Sequence, residues 1–276
     1  MPYELPTEVS WSFAFLVLLA GALISLILNR VLIRSWRRFH GPGPEVPSFM
    51  PEVGFMTLAV FIALTLAGPL IAAGARQFLE QDTPPSLDTN VWITVMINSS
   101  VVLLSYAMAK GRFGATASAF GFQRPTPAVF PMALLLLAAG APLYLGVNVL
   151  NEKFLSAFDL ERNQALVQAL QQDEGLRTNP WLLVLIIGIV PILEEFIFRG
   201  AIQRSLKALL GPVVAILATS LMFAIIHDVQ STLPIFVVGM ALGAIAEVTG
   251  STWACAFAHS AFNAGMILRI LSTSAG

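Results

Sequence analysis

About eight apolar stretches, each close to the length that a bilayer requires, dominate this sequence of 276 residues. Helix is the only state expected for them, because isolated strands cannot satisfy their backbone N–H and C=O groups in lipid. Hydrophobic residues make up 57% of the chain and charged residues only 11%, too few to cover a water-exposed globule. The sequence therefore predicts an all-α fold, a polytopic membrane helix bundle. The expected spans are 11–33, 53–75, 91–109, 127–150, 181–207, 211–229, 232–249 and 251–271.

The linkers between these stretches are short and contain helix breakers, as in "GPGPEVPSFMPE" at 41–52. We expect one integral membrane domain in three parts. Residues 1–150 would form four N-terminal spans, residues 151–180 an extramembrane linker, and residues 181–276 the remaining spans. Within the linker, "ERNQALVQALQQDEG" can form either a short interfacial helix or a solvated loop. The apolar run near the N-terminus is too long for a signal peptide, so we interpret it as a retained first span.

Basic residues recur in alternate linkers, which predicts the orientation of the bundle. Four arginines follow the first span, Lys110, Arg112 and Arg124 lie between the third and fourth, and Arg204 and Lys207 end the fifth. With eight spans these three groups fall on one side, which the positive-inside rule makes cytoplasmic.

Net charge and cysteine content narrow the functional classes further. The formal net charge of −1 gives no reason to expect a nucleic-acid partner. Cys255 is the only cysteine, so an intrachain disulfide is excluded. Its apolar neighbours predict simple packing for this side chain.

Ionisable residues are concentrated in the last four spans, whereas the first four contain only sparse polar residues. Burying one charge in a bilayer costs at least about 2.5–3.5 kcal/mol, so a cluster requires a compensating role. An internal ion pair accounts for Glu195 and Arg199, which have the favourable i,i+4 order. It does not account for Glu194, which projects about 100° away, or for the histidines. The polar residues of these spans are Glu194, Glu195, Arg199, His227, Asp228, Glu247, His259 and Asn263.

Helical spacing predicts that four of these side chains meet at one depth. An antiparallel hairpin of the fifth and sixth spans places Glu194 level with His227, each about 24 Å from the turn. His259 lies about 13 Å from the turn between the seventh and eighth spans. It therefore reaches the depth of Glu194 and His227 if the hairpin of the fifth and sixth spans projects roughly 10 Å farther into the cytoplasm. Asn263 lies one helical turn later, on the same face as His259. We expect Glu194 and His227 to lie close enough to share one water.

This set of side chains favours hydrolysis of a carbonyl compound, above all a peptide bond. A carboxylate in a low-dielectric cavity can accept a proton from water, and an adjacent histidine can orient that water. A second histidine and a carboxamide are donors suited to the oxyanion of a tetrahedral intermediate. The residue chemistry requires no cofactor.

Three segments of the chain resemble the motifs of a known family. The sequences "EEFIFR" at 194–199, "FAIIH" at 223–227 and "HSAFN" at 259–263 are similar to its EExxxR, FxxxH and HxxxN motifs. The family is that of the CAAX-protease and bacteriocin-processing (CPBP) proteins, polytopic membrane endopeptidases that include the type II CAAX prenyl proteases. The motifs occur in the family's order on separate spans, and the resemblance covers residues 181–271.

The resemblance implies catalytic roles for four residues. Glu194 would be the base, and His227 its partner on the attacking water. His259 and Asn263 would form the oxyanion site. Residues 181–276 would then be the catalytic part of the chain.

Three further residues would support the site. The resemblance implies that Glu195 and Arg199 order the cavity or meet a substrate carboxylate. Phe223 would pack against and orient the helix that carries His227. The implied activity is that of an intramembrane endopeptidase, which cuts near the C-terminus of a membrane-associated or lipid-modified peptide or protein, such as a prenylated one. The implied location is a bacterial or archaeal plasma membrane, with the site toward the cytoplasmic side.

The resemblance leaves metal dependence open. Members of the family are often described as metalloproteases, and Glu194, His227 and His259 can in principle bind zinc with an open fourth position. The chain has no HExxH sequence, and the only other histidine is His40, in the first basic linker. Because the carboxylate and histidine chemistry needs no ion, we expect metal-independent hydrolysis.

Two other functions fit some of these features. Intramembrane Glu, His and Arg also mark the ion pathways of transporters, including proton-coupled ones, and Pro191 can break a helix near a binding site. The absence of an internal repeat and the confinement of ionisable residues to one half disfavour a transporter. A noncatalytic membrane protein that gives bacteriocin self-immunity or acts as a scaffold would not need the complete Glu, His, His, Asn set.

Overall fold

The described part of the chain is a helical bundle without strands, as the sequence predicts. The computed structural model describes residues 10–41, 45–78, 87–160, 168, 170 and 179–274. The linker sequence predicted to form an interfacial helix or a loop lies almost entirely outside these residues. The helices are α1 (Trp11–His40), α2 (Met50–Phe78), α3 (Leu87–Phe113), α4 (Val129–Ala157), α5 (Pro180–Leu210), α6 (Pro212–Ile225), α7 (Thr232–Thr249) and α8 (Thr252–Ser274).

Seven of the described helices are long and apolar enough to cross a membrane, and α6 is the exception. Its 14 residues reach about 21 Å at 1.5 Å per residue, whereas the hydrocarbon core is about 30 Å thick. The sixth predicted span, 211–229, is therefore shorter than expected. His227 lies not within a helix but in the turn that follows α6.

α6 ends early because the side chain of His227 replaces a helical hydrogen bond. His227 Nδ1 donates to the carbonyl of Phe223 at 2.7 Å, the group that a continued α-helix would pair with the backbone N–H of His227. That N–H bonds to the carbonyl of Ala224 instead, which tightens the last turn. The backbone then leaves the helix after about 21 Å, which is less than the thickness of the hydrocarbon core.

α1, α3, α5 and α7 end on the same side of the bundle, which we call the basic face (residues 34–41, 45–53, 110–129, 204–212 and 247–252). Arg112 Nε lies 3.3 Å from Glu52 Oε2, which joins the end of α3 to the start of α2. Lys207 Nζ lies 2.7 Å from Glu247 Oε2, which joins the ends of α5 and α7. The three predicted basic groups thus share one face. That this face is cytoplasmic stays a prediction.

The connection between α3 and α4 inserts a short 3₁₀ turn, Ala117–Phe120, against α5. The ring of Phe120 is fully buried and stacks on that of Phe196, with 4.6 Å between the centroids. Thr252 Oγ1 donates to the Phe120 carbonyl at 2.6 Å and ties the start of α8 to the same turn. Gly121 follows with φ +80°, and a Cβ there would collide with Thr252. The 3₁₀ turn thus contacts both α5 and α8 and holds them together at the basic face.

α1 packs closely against α4 through small residues. Gly21 lies against the carbonyl of Pro142, and a Cβ on Gly146 would lie 2.7 Å from Leu18 Cα. Ser25 Oγ accepts a hydrogen bond from the backbone N–H of Leu143 at 3.0 Å. Small interfacial residues let membrane helices approach each other and gain dispersion contacts that larger side chains would prevent.

The close contact of α1 with α4 can be tested with Gly21→Ala. The added methyl group meets a backbone carbonyl that cannot move alone, so we expect a loss of roughly 1–3 kcal/mol in unfolding free energy. Thermal unfolding in detergent measures this loss. Gly111→Ala is the matched control, because nothing lies near a Cβ there and alanine favours helix. Equal melting temperatures for Gly21→Ala and the wild type would contradict the packing.

Candidate active site

α5 carries the first motif and is irregular on both sides of it. The helix contains two π-helical segments, Leu185–Ile189 and Phe196–Gln203. Such segments are rare and occur frequently at functional sites. The first segment precedes Pro191, which has no N–H and whose ring clashes with the carbonyl four residues earlier, so a regular α-helix is unfavourable there. The second begins directly after Glu195 and includes Arg199.

Asn263 supplies a hydrogen bond that Pro191 cannot make. In the first π-helical segment the N–H of Val190 bonds to the carbonyl of Leu185, five residues earlier. Pro191 comes next and has no N–H, so the carbonyl of Ile186 loses the corresponding partner. Asn263 Nδ2 donates to this carbonyl at 2.9 Å. The amide therefore joins α8 to α5, and its second N–H can still serve the predicted oxyanion role.

A hydrogen bond at the basic face sets the relative depth of α5 and α8. Arg204 Nη2 donates to the carbonyl of Gly250 at 2.9 Å, so the last part of α5 and the start of α8 meet there. Glu195 precedes Arg204 by as many residues as separate His259 from Gly250, about 13 Å along each helix. α5 continues to Leu210, about 9 Å beyond Arg204, which agrees with the predicted projection of the first hairpin.

Glu195 joins the two helices at this depth. Its Oε1 accepts hydrogen bonds from Arg199 Nη1 at 3.0 Å and from His259 Nδ1 at 2.9 Å. Since an ionised carboxylate can only accept, the histidine proton in this bond lies on Nδ1. Glu195 is 0% exposed, Arg199 1% and His259 5%. The i,i+4 ion pair of Glu195 with Arg199 is present as predicted.

Glu194 faces the other nitrogen of the same imidazole. Its Oε2 lies 3.8 Å from His259 Nε2. The side chain of Glu194 is 11% exposed, whereas that of Glu195 is fully buried. The two adjacent glutamates thus have different surroundings, as their angular offset on the helix predicts. His259 lies between them and can exchange a proton on the Glu194 side while Glu195 holds its orientation.

Phe223 connects the remaining motif residues to this cluster. Its buried ring lies 4.6 Å from Arg199 Cζ, a cation–π distance, and contacts the imidazole of His259 edge to face at 5.6 Å. The same ring is 4.8 Å from that of His227. Because His227 Nδ1 is bound to the Phe223 carbonyl, its Nε2 is the nitrogen left for other partners. That His227 shares a water with Glu194 stays a prediction.

A polar ladder between α5 and α7, which the sequence reasoning missed, holds the cluster in register. The two helices run parallel, and three side chains one helical turn apart on α5 bond to three positions one turn apart on α7. The signal available in the sequence was the repeated four-residue spacing of polar residues on α5 and of Gly, Gly and Glu on α7. The pairs are Arg199 Nη2 with the Gly239 carbonyl at 3.1 Å, Gln203 Nε2 with the Gly243 carbonyl at 3.0 Å, and Lys207 with Glu247.

The basic face also has a cavity of about 490 Å³, next to the end of α5. It lies between the segment after α1 and the segment after α3, and Glu45, Phe49, Gln123 and Arg204 are among its lining residues. No residue that the sequence assigned to the site lines this cavity.

The three side chains implied as zinc ligands are not gathered around one point. Zinc binds nitrogen and oxygen ligands at about 2.0–2.2 Å, so its ligands must converge closely. Glu194 and His259 are adjacent, but the described residues contain no group of three His, Cys, Asp or Glu side chains that could hold a metal ion. Metal-independent hydrolysis stays a prediction.

The different surroundings of the paired glutamates can be tested by stability. Glu195→Gln removes the charge that Arg199 and His259 both contact in a buried site, so we expect a loss of roughly 3 kcal/mol in unfolding free energy. Glu194→Gln, the matched variant one residue away, should unfold close to the wild type. Thermal unfolding in detergent compares the two. The reverse order of melting temperatures would show that the structural and accessible glutamates are interchanged.

One known protein family matches this part of the chain. Residues 176–265 match the family described as Type II CAAX prenyl endopeptidase Rce1-like, and the matched segment contains all three motifs. No curated protein and no solved structure matches the chain. The matched family is a protease family, and with the seven long apolar helices the match identifies an integral membrane protein. This match over residues 176–265 supports the CAAX protease (CPBP) family assignment that the motifs predict.

Proposed function

We propose that this protein is an intramembrane endopeptidase that hydrolyses a peptide bond near the C-terminus of a membrane-associated substrate. The observation that carries the proposal is the contact of His259 with both glutamates of the EExxxR motif, inside the segment that matches a peptidase family. Ionisable residues within a membrane are costly to bury, so a histidine between two carboxylates there is a functional-site candidate.

Glu194 is the proposed general base. It is the more exposed glutamate, and its neighbour already accepts two hydrogen bonds. Its carboxylate takes a proton from water as the water oxygen attacks the peptide carbonyl carbon, and the carbonyl electrons move to the oxygen. When this tetrahedral intermediate collapses, the C–N bond breaks and the proton passes from Glu194 to the leaving amine. The products are a carboxylic acid and an amine, and the step needs no metal ion.

The two histidines have separate proposed roles. His227 Nε2 can accept a hydrogen bond from the attacking water, since its Nδ1 proton is fixed on the Phe223 carbonyl. His259, when protonated on both nitrogens, donates from Nδ1 to Glu195 and from Nε2 to the oxyanion. Asn263 can add its second N–H from the same face of α8. The bond of Asn263 to Ile186 supports this role, because it fixes the amide before the substrate arrives.

Arg199 is proposed to order the cavity rather than to bind a substrate carboxylate. It donates to Glu195 and to the Gly239 carbonyl, its guanidinium lies against Phe223, and it is almost fully buried. Its Nε has no hydrogen-bond partner among the described residues, but a substrate carboxylate could reach it only by entering the buried packing around the guanidinium. The contacts therefore support a positioning role for the Glu195–Arg199 pair.

The proposed substrate is the C-terminal tail of a lipid-modified protein, such as a prenylated one. A peptide backbone is costly to bury in lipid, so the peptide and water would enter between α5 and α8 from the basic face, which we take to be cytoplasmic. The apolar modification could enter sideways from the bilayer. Such a route suits a tail better than the middle of a transmembrane helix.

Hydrolysis of a quenched prenylated CAAX peptide by the purified protein in detergent tests this function. We expect cleavage that a metal chelator does not reduce, and a loss of roughly 10²–10⁴-fold in Glu194→Gln, which keeps the shape but loses the base. Glu52→Gln is the matched control, because Glu52 is an exposed glutamate at the basic face. The unprenylated peptide shows whether the lipid is required. Full activity of Glu194→Gln would overturn the assignment of the base, and cleavage that stops with chelator would overturn the metal-free step.

Labelling of single cysteines tests the side from which substrate enters. In a Cys255→Ala background, cysteines at Leu210 and Ser118 lie on the basic face, and one at Leu160 follows α4 on the opposite face. A membrane-impermeant thiol reagent applied to intact cells should label only the cysteine at 160. The other two should react after permeabilisation. Labelling of 118 and 210 from outside would invert the topology and remove the case for a cytoplasm-facing protease.

A further inference from the structure

The C-terminal end of α1 carries four arginines, Arg30, Arg34, Arg37 and Arg38, which we call the arginine stripe. Their spacing of i, i+4, i+7 and i+8 confines them to an arc of about 100° on the helix surface. All four are exposed. Within the described part of the chain, no ion pair involves any of them. The stripe is thus a dense positive surface without a protein partner there.

The stripe points away from the rest of the bundle. The buried residues of α1 are Ala14, Gly21, Ser25 and Trp36, and they form the face that packs on α4. At about 100° per residue, this packing face lies roughly 180° from the centre of the stripe. The guanidinium groups are therefore directed toward the surrounding membrane and not into a cavity or a neighbouring helix.

The depth of the stripe matches the headgroup layer. α1 has 30 residues and is about 45 Å long, whereas the hydrocarbon core is about 30 Å thick. If Trp11 lies at one boundary, the core ends near Arg30, and the other three arginines extend about 6–12 Å beyond it. This is the layer that contains the lipid phosphates. Guanidinium groups bind phosphate oxygens in a bidentate geometry and are weakly hydrated, which suits this boundary.

We propose that the arginine stripe binds the phosphate groups of anionic phospholipids along the outer side of α1. Complementary charge identifies this occupant. A second copy of the chain would bring its own stripe to a symmetric interface on this face, where like charges repel. The lipids would hold the end of α1 at a fixed depth while its opposite face holds α4.

Native mass spectrometry of the purified full-length protein in detergent tests the proposal. The probes are phosphatidylglycerol and phosphatidylcholine of the same chain length. The wild type should retain phosphatidylglycerol in preference to phosphatidylcholine. The triple variant Arg34→Gln, Arg37→Gln, Arg38→Gln should lose about fivefold in affinity per arginine, on the order of a hundredfold in all. The same three positions changed to Lys should keep only part of the affinity, because the charge remains but the bidentate geometry is lost, and added salt should weaken the wild type.

A matched control removes two other charges on the basic face. Lys110→Gln with Arg124→Gln should leave phosphatidylglycerol binding unchanged, because these residues lie outside the stripe. Thermal unfolding checks that each variant is folded, and the single variants Arg34→Gln and Arg37→Gln replace the triple variant if it is not. Equal binding of the two lipids by the wild type would overturn the proposal. So would unchanged binding in the glutamine variants, or an equal loss in the control, which would indicate diffuse charge instead of a site.

Discussion

The Oε1 atom of Glu195 accepts hydrogen bonds from Arg199 on its own helix and from His259 on α8. Arg199 in turn donates to Gly239 on α7 and lies against Phe223 on α6. All four C-terminal helices thereby meet around one ion pair. A buried charge without a partner would destabilise the bundle by several kcal/mol, so each of these contacts is a condition for the others. The orientation of His259 toward Glu194 follows from the same bond.

The irregular geometry of α5 serves this arrangement. Pro191 leaves the carbonyl of Ile186 without its helical partner, and Asn263 on α8 provides the replacement. The backbone hydrogen bond that α5 lacks is thus replaced by one that joins it to α8, the helix that carries another motif. The polar ladder between α5 and α7 then fixes the axial register of the two helices, because side chains at three successive turns of α5 bond to three successive turns of α7. Rigid support from backbone carbonyls is what a site needs if its reacting groups are to be held before substrate arrives.

The hydrophobic pattern and helical spacing of the sequence were enough to predict helix bounds and contacts within one helix. The bounds of α7 are those expected, and the pairing of Glu195 with Arg199 follows from helical spacing alone. The end of α6 was missed, because it depends on a side-chain bond that His227 makes to its own helix. The bond of Gln203 to the Gly243 carbonyl was missed because it depends on the register of two distant helices. The catalytic roles rest on chemistry and resemblance, since spacing alone does not distinguish a base from a donor.

The short length of α6 ties the site to the thickness of its membrane. Because α6 is about 9 Å shorter than the hydrocarbon core, the polar backbone of residues 226–231 must be covered by protein or reached by water wherever this turn lies within the bilayer. A bilayer that thins beside α6 would bring water and headgroups closer to His227, and a thicker one would seal it off. Acyl-chain length, and so the compartment in which the protein resides, would then influence how readily water reaches the chemistry.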